Sequence, residues 1–221
     1  MRVGFFVPMV LLDKNEIAFP DPTLYHPMSG LIAAGGDLSP ERLWLAYQLG
    51  IFPWYNPGEE ILWWCPDPRF VLFPNDLKVS KSMRKILKDE VFIFTENQCF
   101  EEVMRNCMTV PRNEQDGTWI SEELIESFLL LHQQGKAKSI EVWKDGELVG
   151  GFYGLVVNRV FCGESMFSKV SNASKSGFIA FVQKYKNTFD IIDCQIHSDH
   201  LESLGAGMIS KEDYLRILYT K

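Results

Sequence analysis

Val160-Phe161-Cys162-Gly163-Glu164-Ser165-Met166-Phe167-Ser168-Lys169-Val170-Ser171-Asn172-Ala173-Ser174-Lys175-Ser176-Gly177 decides how the chain reads, because three kinds of chemistry meet in it. An apolar, β-rich run ends on a carboxylate, Glu164, beside Gly163, where the missing side chain lets a ligand approach the backbone. A polar loop follows. It leads into a helix after Asn172 whose first-turn amides face whatever sits above the strand end, a common ligand position in α/β proteins. Taken alone, a strand, a turn and a capped helix carrying a surface glutamate is the plainer description. The neighbouring segments shift that balance.

Around this stretch the apolar period is two. Lys138 to Lys144 and Glu147 to Tyr153 flank Asp145-Gly146, a strong two-residue hairpin signal. Leu155 to Val157, a turn at Asn158-Arg159 and Val160 to Glu164 predict a second hairpin. The helix after Asn172 buries Phe178, Phe181, Val182 and Tyr185. A strand over 189–195, a short helix from about Asp199 to Gly205, and a capping box at Ser210-Lys211-Glu212-Asp213 that opens a last helix complete this part. Hairpins, helix, strand, helix is the order of an acyltransferase domain of the N-acetyltransferase (GNAT-like) type.

Upstream, residues 17–68 are dense in aromatics and prolines, which predicts an irregular path lined by packed rings. One clear helix sits among them: Ser39 as N-cap, Pro40 in the first position, and Gly50 as the stop. Gly35-Gly36-Asp37 is a turn without the Lys-Ser/Thr partner of a phosphate loop. A helix from about Ser80 to Lys88 puts Lys81, Arg84, Lys85 and Lys88 on one face and Met83, Ile86 and Leu87 inward. That stripe reads equally as a solvated face or as a footprint for a few phosphates. Helices over 99–108 and 122–134 flank a loop at 111–117, with Trp119 just before the Ser121 cap.

The chain has 221 residues, 46% of them apolar, enough for one domain or one and a half. Its net charge of −7 argues against a protein that coats nucleic acid non-specifically, though a local basic face remains compatible. Five cysteines without a C-x-x-C pair read as reduced thiols, neither zinc ligands nor a disulfide framework. The apolar run from Val3 to Leu12 is followed by Asp13-Lys14-Asn15-Glu16 where a signal peptide needs small residues, so it is expected to be a structured N-terminus. No segment approaches the length of a membrane span.

Asp193 and Gln195 lie two apart on the 189–195 strand, which predicts a shared face with Cys194 opposite. A carboxylate amid apolar neighbours is costly unless paired or used, so either a structural pair or a catalytic one is expected. Histidines 26, 132, 197 and 200 show no metal spacing, and His197-x-x-His200 reads as polar surface. No G-x-S-x-G elbow exists. The loop Lys169 to Ser174 lacks the glycine that coenzyme A would call for at a helix start, which disfavours that cofactor.

Gly35-Gly36-Asp37-Leu38-Ser39-Pro40, Gly50-Ile51-Phe52-Pro53-Trp54, Trp63-Trp64-Cys65-Pro66-Asp67-Pro68-Arg69, Gly117-Thr118-Trp119-Ile120, Gly163-Glu164-Ser165-Met166-Phe167 and Ile192-Asp193-Cys194-Gln195 together resemble the bacterial leucyl/phenylalanyl-tRNA–protein transferase family. The match runs in order over nearly the whole chain. The resemblance implies an α+β chain with a small N-terminal α/β domain, residues 1–67, and an acetyltransferase-like catalytic domain, residues 68–221. It implies transfer of Leu or Phe, with Met as a further donor, from aminoacyl-tRNA to proteins with N-terminal Arg or Lys, which creates a degradation signal. Such a cytoplasmic, monomeric enzyme needs no ATP, metal or cofactor.

Position by position, the resemblance makes Asp193 and Gln195 the catalytic pair and Glu164 the carboxylate at the reaction site. Trp54 and Trp119 become walls around the terminal adenosine and aminoacyl group. Phe161, Met166, Phe181, Tyr185 and Ile192 line the amino-acid pocket, and Lys81, Arg84, Lys85 and Lys88 meet the tRNA acceptor stem. An aminoacyl ester is already activated, so the enzyme's task is chiefly positioning. A neutral amide is too weak a base, so Gln195 would orient the amine while Asp193 polarises it or takes its proton; relay through the substrate ribose is an alternative. Three positions depart from the family pattern: Phe152 replaces a smaller aliphatic residue, Cys65 a serine and Lys169 an arginine. Phe152 would narrow the pocket.

Overall fold

The computed structural model describes residues 9–24, 30–56, 58–109 and 119–220. Most of the apolar N-terminal run and the whole loop at 111–117 lie outside them. Two sheets organise the described residues. The smaller contains β1 (Val10–Leu12), β2 (Leu31–Gly35), β3 (Phe52–Pro53) and β4 (Leu62–Trp64), in the order β1-β2-β4-β3, with helix α1 (Pro40–Gln48) between β2 and β3. The larger contains β5 (Arg69–Leu72), β6 (Ile93–Glu96), β7 (Ala137–Lys144), β8 (Glu147–Val157), β9 (Val160–Ser168), β10 (Ile191–Gln195) and β11 (Gly207–Ile209), in the order β11-β5-β10-β9-β8-β7-β6. Helices α2 (Lys81–Lys88), α3 (Phe100–Thr109), α4 (Glu122–Gln133), α5 (Ala173–Lys184), α6 (Asp199–Glu202) and α7 (Lys211–Tyr219) connect and cover it. The α+β class is therefore the one the chain adopts.

β9 and β10 pair in parallel, while the other neighbours in the large sheet are antiparallel. A parallel pair cannot be closed by a tight turn and needs a crossover; α5 is that crossover. The N-caps follow the sequence. Ser39 accepts from the Arg42 amide at 3.4 Å, Ser80 from Met83, Ser121 from Leu124 and Ser210 from Asp213, each at about one turn. Gly50, at φ +76°, ends the first helical segment where a Cβ would come within 2.8 Å of both Leu215 and Tyr214. The end of α1 thus rests directly on α7.

Residues 17–68 follow a largely irregular path, interrupted by α1 and by three strands of the small sheet that are only two to five residues long. Trp63 is fully buried, donates its indole N–H to the Gly35 carbonyl at 2.9 Å and meets Phe19 edge-on at 4.9 Å. The core then continues into the large sheet through the ring series Tyr47, Phe128 and Tyr153, at 6.4 and 5.4 Å.

Two expectations change. β8 is one strand from Glu147 to Val157, with Gly154 inside it because a Cβ there would lie 2.2 Å from the Cys162 carbonyl oxygen. β9 does not end at Glu164 but runs on to Ser168. Tyr153 pairs with Ser165 and Gly154 with Gly163, so Glu164 is the extra residue of a β-bulge, a device that re-aims a side chain. β10 has its own bulge: Asp193 pairs with Val71 and Gln195 with Phe70, leaving Cys194 over. Gln195 consequently sits at φ +63°, in the left-handed region. The simple alternation expected for Asp193 and Gln195 is broken at this point.

Candidate active site

The two bulges open onto one cavity of about 540 Å³. Phe52 and Trp54 reach it from the small sheet, Trp119 from before α4, and Phe152, Phe161, Met166 and Ile192 from the large sheet. On its polar side Gln195 donates its amide N–H to Glu164 Oε1 at 2.7 Å. Six of the residues expected around a substrate or a reaction centre therefore meet here with the pair itself: Glu164, Trp54, Trp119, Phe161, Met166 and Ile192.

Phe181 and Tyr185 do not line it. Phe178 takes the wall position on α5, and Phe181 lies behind, packed on Phe161 at 4.6 Å and Phe152 at 5.4 Å. Tyr185 follows the end of that helix and turns outward, donating its hydroxyl to Glu96 Oε2 at 2.6 Å. His200, expected on the polar surface, is half-buried and lines the cavity, with Nε2 sealed from solvent. His197 is exposed and lies 3.1 Å from Glu202. Lys81, Arg84, Lys85 and Lys88 are all exposed on α2, and none forms an ion pair among the described residues.

Asp193 borders the cavity, but its carboxylate is engaged within the protein. Its Oδ1 accepts from Arg69 Nε at 2.8 Å and from the Gln195 backbone N–H at 2.9 Å. Its Oδ2 accepts from Arg69 Nη2 at 2.7 Å and from the Tyr214 hydroxyl at 2.9 Å. Both charged residues are at most 1% exposed. The guanidinium lies between the Phe52 ring, 4.7 Å away, and the Tyr214 ring, 4.4 Å away, and donates to the Gly50 carbonyl. Desolvation opposes the Arg69 charge, but Asp193 beside it prevails and holds the guanidinium well above its ordinary range. Asp193 thus tethers the backbone of Gln195, while the Gln195 side chain meets Glu164.

Arg69 and Tyr214 are the participants that the sequence reading missed. The signal was present in Arg69-Phe70-Val71-Leu72, where a charge opens a buried strand and needs a partner, as Asp193 does in Ile191-Ile192-Asp193.

Glu164 differs from Asp193. Burial pushes its carboxyl up to about 8, with Asp193's charge adding, against the opposing influence of the nearby Tyr47 hydroxyl, the hydrogen bond from Gln195 and the charge of Arg69. An apolar seat bordered by rings, next to a carboxyl whose proton affinity burial raises, suits general acid–base work on an apolar acyl group, as in an acyl-group transferase.

The comparisons with known proteins narrow that class. A family model described as Leucyl/phenylalanyl-tRNA protein transferase matches residues 71–219, and the model of its N-terminal domain matches residues 36–67. Proteins named leucyl/phenylalanyl-tRNA–protein transferase include one from Flavobacterium johnsoniae, 55% identical over 94% of this chain and 98% of its own length. Another, from Christiangramia forsetii, is 55% identical over 95% of this chain and 100% of its own, and one from Escherichia coli is 47% identical over 95% and 89%. The chain belongs to the leucyl/phenylalanyl-tRNA–protein transferase family and is an aminoacyltransferase. Among solved structures, a protein of unknown function from Bacteroides thetaiotaomicron overlaps it at a TM-score of 0.47, with 12% identity over 70% of this chain and 56% of that one. A GCN5-related N-acetyltransferase-like protein from Streptococcus suis overlaps it at 0.38, with 12% identity over 73% and 60%. No helix of the described residues is long and apolar enough to cross a membrane.

Proposed function

We propose that the enzyme moves Leu or Phe, with Met as a further donor, from aminoacyl-tRNA onto the α-amine of acceptor proteins that begin with Arg or Lys. It does so in the cytoplasm as a monomer, without ATP or metal, and the product carries a degradation signal. Residues 1–67 form the smaller unit and 68–221 the catalytic one. The observation that carries the mechanism is the bond between Gln195 Nε2 and Glu164 Oε1 at the cavity's polar side.

The acceptor amine arrives largely as an ammonium and must lose a proton before it can attack. A protein α-amine has a pKa near 7.7–8.0, so transfer to an ordinary glutamate near 4.3 is uphill by roughly 3.5 units, about 5 kcal/mol. A carboxyl near 8 removes most of that gap. Glu164 therefore accepts the proton, and Gln195 fixes the carboxylate's orientation. The amine nitrogen then attacks the ester carbonyl carbon; the C–N bond forms and the ester C–O bond breaks. Glu164 passes its proton to the leaving ribose oxygen, takes the second proton from the nitrogen that turned cationic on attack, and releases that one to solvent, so charge and atoms balance. Asp193 acts through Gln195 as a positioning residue, because Arg69 and Tyr214 already occupy its oxygens. Phe161, Met166 and Ile192 seat the aminoacyl side chain, with Trp54 and Trp119 beside the terminal adenosine. The α2 cations meet the acceptor stem.

Incubation of the purified protein with charged leucyl-tRNA and an Arg-initiated peptide tests this reading, with acetyl-coenzyme A and the same peptide as the competing arm. Leucyl peptide should form only in the first arm, and Glu164→Gln should abolish most of it while charged tRNA still binds. Acetyl transfer, or full turnover by Glu164→Gln, would overturn it.

A further inference from the structure

Glu164 has a second oxygen, and its surroundings are unusual. Oε2 is sealed from solvent without a hydrogen-bond partner, and so is the hydroxyl of Tyr47. Tyr47 is 1% exposed and projects from α1, the helix between strands of the small sheet. Its ring packs on Phe128, and its hydroxyl lies close enough to Glu164 for each group to act on the other's ionisation. A phenylalanine would fill this space without the cost of burying an unpartnered hydroxyl. A neutral phenol is also the right tool for seating a carboxylate, because it donates a hydrogen bond and adds no charge.

We propose that Tyr47 is a positioning residue for the transfer reaction: its hydroxyl donates to Glu164 Oε2 when that carboxyl is ionised, holding the side opposite to Gln195. This rests on the assignment of Glu164 as proton acceptor. The catalytic carboxylate is thereby held by both parts of the chain, by α1 on one oxygen and β10 on the other. Burial holds the Tyr47 phenol well above its ordinary range, so it stays a donor throughout the working pH range. The other titratable or charged groups that act on this pair are Asp193 on β10, Arg69 on β5, Cys162 on β9 and Tyr153 on β8. Arg69 and Asp193 are already neutralised by each other. Removing the phenol therefore removes a donor specific to the ionised form, and Glu164 should hold its proton to higher pH.

The test uses the full chain with glutamate labelled at the carboxyl carbon, its Glu164 signal assigned through Glu164→Gln. In Tyr47→Phe the carboxyl midpoint should rise by about one unit, and single-turnover transfer at pH 7 should fall about tenfold and recover as pH is raised. A fluorotyrosine placed at position 47, a stronger donor of the same shape, should move the midpoint the other way, which separates donation from loss of packing. An unmoved midpoint in both proteins, or a loss equal at every pH, overturns the proposal. A midpoint that moves without the acid limb of the transfer rate following it upholds the seat and removes Glu164 from proton transfer.

Discussion

Replacing Asp193 with Leu leaves the Arg69 guanidinium buried, charged and without its carboxylate. Arg69 is 1% exposed, and a guanidinium keeps its proton even without its carboxylate, so losing the charge offers no escape. Removing one partner of a buried pair typically costs about 3–5 kcal/mol, and this case belongs at the upper end. At roughly 2–4 °C per kcal/mol for a chain of this size, the melting temperature should drop by about 10–20 °C. Arg69→Met combined with Asp193→Leu removes both charges and should recover most of the loss, since a well-packed apolar pair replaces a buried ionic one at little cost. Transfer should not recover with it. Gln195 sits at φ +63° with its backbone N–H on Asp193 Oδ1, and a leucine offers no acceptor. A displacement of about 1 Å at such a site costs on the order of a hundredfold. Thermal melts and single-turnover transfer on both variants decide the matter. A double variant that regains stability and full transfer together would refute the positioning role.

Glu164→Gln should flatten the pH dependence of stability. Glu164 binds its proton more tightly folded than unfolded, so its contribution is fully present below pH 4.5, its ordinary value, and is lost as pH rises through about 8. The variant should therefore melt higher than the parent near pH 9, by at most about 5 kcal/mol, with the gap closing towards pH 4.5; a gap independent of pH would contradict the shift. Replacing Lys81, Arg84, Lys85 and Lys88 by Gln should weaken tRNA binding and reduce the log–log salt slope by about 3, and an unaltered slope would return the stripe to solvent. Phe152→Val should widen the wall beside Phe161 and shift selection towards phenylalanyl donors by roughly 1–3 kcal/mol in kcat/KM; competition between leucyl- and phenylalanyl-tRNA reads this directly.

Local signals carried a great deal of the architecture. The Ser39, Ser80, Ser121 and Ser210 caps and the Asp145-Gly146 turn sit where their side chains and φ preferences put them. What escaped depends on partners distant in sequence. The bulges at Glu164 and Cys194 are fixed by register against β8 and β5, and nothing within either strand announces the extra residue. The two-residue period therefore put Asp193 and Gln195 on one face, and Glu164 at a strand end. Pairing Arg69 with Asp193 joins residues 124 apart, so each showed only as an expensive charge. Phe181 and Tyr185 were assigned by resemblance to a pocket that Phe178 walls in their place.

The Arg69 lock also has a consequence for synthesis. Its guanidinium leaves the ribosome early, its carboxylate partner comes from β10, and the second ring that covers it, Tyr214, comes from α7. Until those segments emerge, the nascent polypeptide carries a cation at the start of an apolar strand with nothing to neutralise it. The complete lock, and with it the tether on Gln195, therefore assembles only after β10 and α7 have both left the ribosome.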